Sequence, residues 1–433
     1  MKEASAPRGG AAPGRAAVGG SGDDRAVPLL PSPPTTRDGV VAWVAEHLSH
    51  LTCDETSAYG TSSIRGGQAA ADAALASLDL TGYARRRSTV LPEAQRGATR
   101  LSPYIRHGLL PLPDVWDAAA DAPPRDRQRF RDELQWQEYA RHLYARVGRD
   151  LREPLRAGSP VPSPGAPPWR DEPWPERMAC TAATTGELHE QGWLVNQTRM
   201  WLASQWSVRA GADWREGRDE MYRHLLDGSP AANGLGWQWS AGTATGKVYG
   251  FSRWQVEKRA PQLCRACPLR DACPVQDWPE AQSGARLEGP PELGGGPPDA
   301  GPRRPEVTGE PEAVWLTAES LGDTDPALAA HPDLPAVFVF DEPLLARLRL
   351  SGKRLVFLAE TLAELGAEVR LGDPVEELAG RRLATTWTYP PGWRRRADRL
   401  DVVALHPWPW LRRPGSGSVR SFSAWVRTAP GRG

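Results

Sequence analysis

A Pro- and Gly-rich segment, residues 279–311 with SGARLEGPPELGGGPPDAGPRRP at its centre, separates two stretches of chain that follow different rules. That composition reads as a linker and hence a domain boundary. Before it, apolar residues recur at helical spacing. VVAWVAEHLSHL is amphipathic, and DRQRFRDELQWQEYARHLYARVG carries its charges on one face. GELHEQGWLVNQTRMWLASQWSVRAG is nearly apolar in its second half, which predicts one long, buried helix. After the linker, the short runs EAVWLTA, AVFVFD and EVRLGD alternate with the helical patterns SGKRLVFLAETLAELGA and PVEELAG. Strand–helix–strand alternation predicts a parallel sheet with crossover helices. WTYPPGWRRR to HPWPWLRR is Pro- and Trp-rich with little periodicity, and is expected to pack back as a tail. Residues 1–35 hold too little apolar surface to offset ordering entropy, and disorder is expected there. The predicted class is mostly α: a helical unit over 36–278, the linker, and a small α/β, parallel-sheet, Rossmann-like unit over 312–433.

The chain has 53 basic and 53 acidic side chains, so any binding to nucleic acid or membrane needs a local patch. No apolar run is long enough for a bilayer, and the N-terminus lacks a signal core. The five cysteines, Cys53, Cys180, Cys264, Cys267 and Cys273, are too few for a disulfide scaffold. A soluble, cytoplasmic monomer is expected.

Four segments carry chemistry. In GATRLSPYIRHGLL, Thr99 and Ser102 flank Arg100 and Leu101, and Pro103 opens a helix. Hydroxyls and free N–H groups at a helix start suit an anion such as phosphate, though taken alone they read first as an ordinary N-cap. In DELQWQEYARHL, Glu133 and Trp136 share a helix face. They could hydrogen-bond and stack a planar ligand, or be a surface Glu beside a core Trp. In GWLVNQTRMW, Asn196, Arg199 and Met200 share a face. A guanidinium on so apolar a helix is expensive to bury unpaired, and Asp227 is the natural partner. A buried Asn there is a flavin contact or part of a structural polar network. In DGSPAANGLGWQWSAGTATG, Asn233 to Gly236 read as a turn, followed by Trp237 and Trp239 around Gln238. The two indoles point the same way if the backbone is extended and diverge if it is helical.

CRACPLRDACP spaces Cys264, Cys267 and Cys273 as C-x2-C-x5-C. Three thiolates this close point to a metal or cluster site with a fourth ligand from elsewhere, with zinc and iron–sulfur both open. Cys53 reads as a free buried cysteine.

TRLSPYIRHG, ELQWQEYARHL, GWLVNQTRMWLAS and LLDGSPAANGLGWQWSAGT occur in the order and rough spacing of the photolyase/cryptochrome flavoprotein family. The chain from about residue 60 to 260 resembles that family's helical FAD-binding domain. The resemblance implies FAD as cofactor and damaged DNA as partner. It implies light-driven repair of pyrimidine dimers, with cryptochrome-like photoreception as the alternative and a light-independent flavin or iron–sulfur redox protein as a third option.

It also implies roles. Tyr83 lies beside the FAD, and Thr99 and Ser102 hold its phosphates. Glu133 and Trp136 line the cavity for the dimer, which Asn196 and Met200 face. Arg199 pairs with Asp227 near the isoalloxazine, and Asn233 sits near flavin N5. Trp237 is the inner member of an electron relay and Trp214 the next, with Trp169 and Trp174 as candidates for the outermost. Trp239 contacts a base, and YARRR and IRHG supply DNA phosphate contacts. Ser229 stands where many members have a second Asp, and Gln137 where an Arg often follows the Trp.

The sequence after the linker resembles the family's α/β antenna domain, which normally comes first, so a circular permutation is expected. The basic strand-end motif is missing from TAESLGDTD, which leaves an antenna chromophore open. One Cys before the Asn196 segment and three after Trp-Gln-Trp resemble the family's iron–sulfur bacterial branch. That implies a [4Fe–4S] cluster on Cys180, Cys264, Cys267 and Cys273.

Overall fold

The computed structural model describes residues 29–161, 169, 171–297 and 299–429. Residues 1–28 of the expected disordered segment lie outside the described residues. Residues 29–35 of that segment are ordered: Leu29 bridges Arg370, Leu30 N donates to Val369 O (3.0 Å), and Pro31 O accepts from Trp43 Nε1 (2.9 Å). Leu30 is buried, which favours ordering where the flanking Gly/Ala sequence would not.

The helices that build the site are α1 (Arg37–Leu48), α2 (Pro124–Val147), α3 (Ala179–Gln191), α4 (Asn196–Ser204), α5 (Trp214–His224), α6 (Pro230–Ala241), α7 (Gly352–Leu365) and α8 (Phe422–Thr428). The strands are β1 (Glu306–Val307), β2 (Ala313–Leu316), β3 (Ala336–Asp341), β4 (Glu368–Gly372), β5 (Arg382–Thr386) and β6 (Asp401–His406). They form one sheet in the order β1-β6-β5-β2-β3-β4. β2 to β6 pair in parallel, and β1 adds antiparallel to β6. The parallel part is doubly wound, and its strand order reverses between β2 and β5. β2 is buried along its whole length, as a sheet covered on both faces requires.

Four sequence expectations change. The long helix predicted across Gly186–Gly211 is broken: α3 stops at Gly192 (φ 64°), and α4 begins after extended Val195. Gly192 is in the left-handed region, where a side chain would be strained. The stretch read as an aperiodic tail holds β6, and segment 279–311 supplies β1 and the buried Leu293 and Ala300. The glycine-rich turn at Asn233–Gly236 is helical, inside α6. Ser229 caps that helix by accepting from Ala232 N (3.4 Å), and Pro230 occupies its first turn.

One apolar cluster joins the helical body to the sheet, running from Trp43 and Val44 through Tyr104 and Leu109 to Phe340 and Phe357. Glu360 on α7 knots the units together, pairing with Arg37 (2.9 Å) and Arg65 (2.7 Å) and accepting from Gly66 N (2.7 Å). No helix among the described residues is long and apolar enough to cross a membrane.

Glu138 on α2 anchors the C-terminal stretch: Oε1 accepts from Arg412 N (2.9 Å), while Oε2 is buried without a hydrogen-bond partner. Burial pushes this carboxyl up to about 7, against the pull of Arg141. A raised folded-state pKa means that its contribution favours folding at acid pH and is lost as pH rises through about 7. Ionising it costs on the order of 3 kcal/mol. Glu138→Gln is therefore expected to gain melting temperature over the wild type progressively between about pH 5 and pH 8. A difference independent of pH in thermal melts would refute this reading.

Candidate functional site

Two stacked helices, α4 and α6, form the wall on which most of the expected residues meet. Arg199 on α4 grips Asp227 bidentately, Nη1–Oδ1 3.1 Å and Nη2–Oδ2 2.7 Å, and its Nε donates to Leu194 O (3.1 Å). The Asp227 side chain is 5% exposed and that of Arg199 24%. The pairing expected from sequence is thus present. Asn196 is exposed rather than buried, because it opens α4 at its solvent end, and its amide contacts only Met200 Sδ (3.6 Å). Asn233 Nδ2 donates to Arg218 O (3.0 Å).

Helix α6 separates its indoles. Trp237 is 2% exposed and Trp239 38%. Gln238 between them is buried and pinned: Nε2 donates to Leu151 O and Glu153 O (2.9 Å each), and Oε1 accepts from Leu155 N (3.1 Å) and Thr243 Oγ1 (3.0 Å). Outward, Trp239 lies 5.3 Å from the Tyr249 ring, whose hydroxyl accepts from Gln197 and Gln255. Inward, Trp237 meets Trp206 edge to face at 6.4 Å, and Trp206 meets Trp174 at 4.8 Å. Sequence reasoning missed Trp206. It sits in a π-helical turn, Gln205–Arg209, that continues α4 and shifts the helical register. Trp214 shares the same apolar cluster but stands between the guanidinium groups of Arg215 and Arg218, at 5.3 and 5.4 Å. Trp169 is half-buried and outside this chain of ring contacts. Gly217 permits the Trp206–Trp237 contact: a Cβ there would come within 2.4 Å of one indole and 2.7 Å of the other.

Along α2, Glu133 pairs with Arg87 (3.2 Å), and burial pushes its carboxyl up while Arg87 pulls it down. Trp136 is stacked on Phe422 of α8, centroids 3.9 Å apart at 10°. Gln137 beside it is half-buried. Tyr83 is buried edge-on to Phe130 (5.3 Å). Leu101 is buried, and Arg100 (φ 55°) lies 5.2 Å over Trp193. Thr99 is half-buried. Ser102 does not cap its helix, which is only five residues long; its hydroxyl accepts from Trp193 Nε1 (3.1 Å). The helix start itself is too short to add an anion site to the Thr99 and Ser102 hydroxyls.

IRHG is likewise not a DNA-facing patch. Arg106 is buried against Glu319 (2.9 Å) and Gly228 O (2.9 Å), and His107 lies between Ala318 O (2.6 Å) and Leu226 O (3.1 Å). Both residues sit against the turn that follows β2, at the side of the sheet where the strand order reverses. YARRR keeps Arg85 exposed and Arg87 half-buried.

The residues present fit a flavin. The wall holds polar atoms with unused capacity: the Asn196 amide and the buried Nε1 of Trp237 lack hydrogen-bond partners of ordinary strength.

Cys180, Cys264, Cys267 and Cys273 line one apolar cavity with Met178, Val256 and Leu263. Burial, then the three neighbouring thiols, pushes Cys180 up to about 12. Among the described residues, no three of these sulfurs lie within 4.8 Å of one another.

Residues 181–261 match the family model for the FAD binding domain of DNA photolyase. A deoxyribodipyrimidine photo-lyase of Synechococcus sp. is 32% identical over 169 residues, which are 34% of this chain and 33% of that protein. One from Thermus thermophilus is 33% identical over 157 residues, 34% and 36% of the two chains. A cryptochrome of Synechocystis sp. PCC6803 superposes with a TM-score of 0.41 at 20% identity, over 49% of this chain and 48% of that one. The chain spans about a third of the length of the curated relatives it matches. The matched segment holds α4, α5 and α6 with the Arg199–Asp227 pair and both indoles of Trp-Gln-Trp. Residues 181–261 match the FAD-binding domain of DNA photolyases, and over about a third of its length the chain is similar to the photolyase/cryptochrome family.

Proposed function

We propose that the chain is a light-driven, FAD-dependent enzyme of the photolyase kind that repairs pyrimidine dimers in DNA. The observation that carries this reading is the divergence of the α6 indoles: Trp237 is buried toward other tryptophans, and Trp239 is offered to solvent. Reduced FAD, bound and excited by blue light, supplies the electron that splits the dimer and takes it back. Arg199 and Asp227 hold the flavin ring, with Asn196 and Asn233 giving amide contacts. Tyr83 and the Thr99–Ser102 turn take the rest of the cofactor. Trp239 gives the extruded lesion a stacking surface, and extrusion costs least for a poorly stacked base. Glu133 and Arg87 border the same wall, and YARRR supplies phosphate contacts despite the zero net charge.

The four cysteines hold a [4Fe–4S] cluster in this proposal, supported by their shared cavity. Anaerobically purified protein is expected to carry about four irons per chain. Cys264→Ala should lose most of that iron and the broad visible shoulder, with the flavin bands retained. Iron content unchanged in this variant would sink the assignment.

The α/β unit is read as the family's antenna domain, displaced to follow the FAD domain. Its doubly wound order supports this. No antenna pigment is assigned, because Arg106 and His107 sit where strand order reverses.

A second reading, a cryptochrome-like photoreceptor, is favoured by the Phe422 ring that covers Trp136. The deciding experiment pairs an anaerobic absorption spectrum with light-dependent repair of a defined dimer in single-stranded and duplex DNA. Colourless protein would overturn both readings. Flavin bands without repair would select the photoreceptor.

A further inference from the structure

Away from the flavin wall and the cysteine cavity, another set of ligating side chains converges. Glu220 and His224 lie one turn apart on α5, with Oε1 of Glu220 3.4 Å from Nε2 of His224. His189, near the end of α3, brings its ring to 4.4 Å from that of His224. The ligating atoms of His189, Glu220 and His224 all lie within 4.8 Å of one another, and so do those of Cys53, Asp54 and His224. His224, common to both trios, is 8% exposed, and its Nδ1 is buried with no hydrogen-bond partner. A buried imidazole nitrogen left without a partner, next to a second imidazole, is a costly arrangement unless an ion joins them.

Neighbouring charges sort the ligands from the bystanders. Asp54 is committed: Oδ1 accepts from Gly352 N (2.8 Å), and Oδ2 pairs with the buried Lys353 (3.2 Å). Arg223 takes the other oxygen of Glu220 (2.6 Å). Cys53, read from the sequence as a free buried cysteine, is exposed and stands outside the His189–Glu220–His224 trio. The hydrogen bond from His224 holds the Glu220 carboxyl down at about 2, so it is ionised. Burial and His224 hold His189 below its ordinary value, so it is neutral near pH 7.

We propose that His189, Glu220 and His224 bind one divalent transition-metal ion of the zinc class. Two imidazoles and a carboxylate make a three-ligand set with Zn–N near 2.0–2.1 Å, and water takes the fourth position. Glu220 offsets part of the charge of the ion, while Asp54 neutralises Lys353. The ion fastens the end of α3 to α5.

The test uses the full chain, dialysed against zinc and assayed for zinc and iron separately. The wild type is expected to retain about one zinc per chain, and exposed His189, replaced in His189→Ala, should weaken retention roughly tenfold or more. Zinc should raise the melting temperature of the wild type and not of that variant. Zinc retained equally by His189→Ala and Glu220→Gln would overturn the proposal. So would loss of all bound zinc in Cys264→Ala, which would place the ion in the cysteine cavity.

Discussion

Arg199→Leu is expected to destabilise the protein by about 3–5 kcal/mol and to strip most of its flavin. The asymmetry of the pair decides the size of the effect. The Asp227 side chain is 5% exposed and that of Arg199 24%. Removing the guanidinium leaves a carboxylate buried among α4, α5 and α6 with only Arg354, outside ion-pair distance, as a remaining counter-charge. It also releases Leu194 O, which accepts from Arg199 Nε at 3.1 Å. The reverse change, Asp227→Asn, leaves a guanidinium that can still reach water, so its loss should be smaller, about 1–3 kcal/mol. Arg199→Lys keeps the charge and loses the fork, and should fall between the two. Urea unfolding measures the stabilities, and the flavin-to-protein absorbance ratio measures the cofactor. Equal losses for Arg199→Leu and Asp227→Asn would show that the pair is not buried on one side. Full flavin retention in both would remove it from the proposed cofactor wall.

That pair was legible in the sequence because a guanidinium on an apolar helix demands a partner. Periodicity also sufficed for α2, α7 and β2 to β4, where one buried face or a fully buried run dominates. It failed where long-range packing decides. β5 and β6 are five and six residues long, sit among prolines, and are stabilised by partners across the sheet, such as Trp315 O accepting from Thr385 Oγ1 (3.0 Å). The α6 glycines resembled a turn, because glycine costs about 1 kcal/mol in a helix interior. The helix forms because the Ser229 cap and the four hydrogen bonds at Gln238 outweigh that cost, and Gly234 meets Leu151 where a Cβ would lie 3.1 Å away. Arg106 looked like a surface cation, and only the docked sheet unit, through Glu319, shows why it is inside. Cys53 and His224 lie 171 positions apart in the sequence, so no local spacing could reveal that they meet.

Trp206→Phe is expected to slow light-driven reduction of the bound flavin by about tenfold or more, equivalent to at least about 1.4 kcal/mol on the barrier. The family resemblance puts Trp214 after Trp237 in the relay, yet the ring in contact with Trp237 belongs to Trp206, and Trp174 follows. An electron hop needs a neighbour that can be oxidised, and phenylalanine fills much of the indole's space without that property. Loss of packing is therefore modest while loss of transfer is large, which separates the two roles of the ring. Gly217→Ala gives an independent handle: its Cβ would force Trp237 and Trp206 apart without removing either, and should slow reduction as well. Rates of flavin bleaching under blue light with an external donor report all three variants, with Trp214→Phe as the comparison. If Trp214→Phe stops reduction while Trp206→Phe and Gly217→Ala do not, the relay follows the family position. If the order is reversed, the π-turn that carries Trp206 has rerouted electron flow, because one extra residue in that turn points a different indole at the same inner tryptophan.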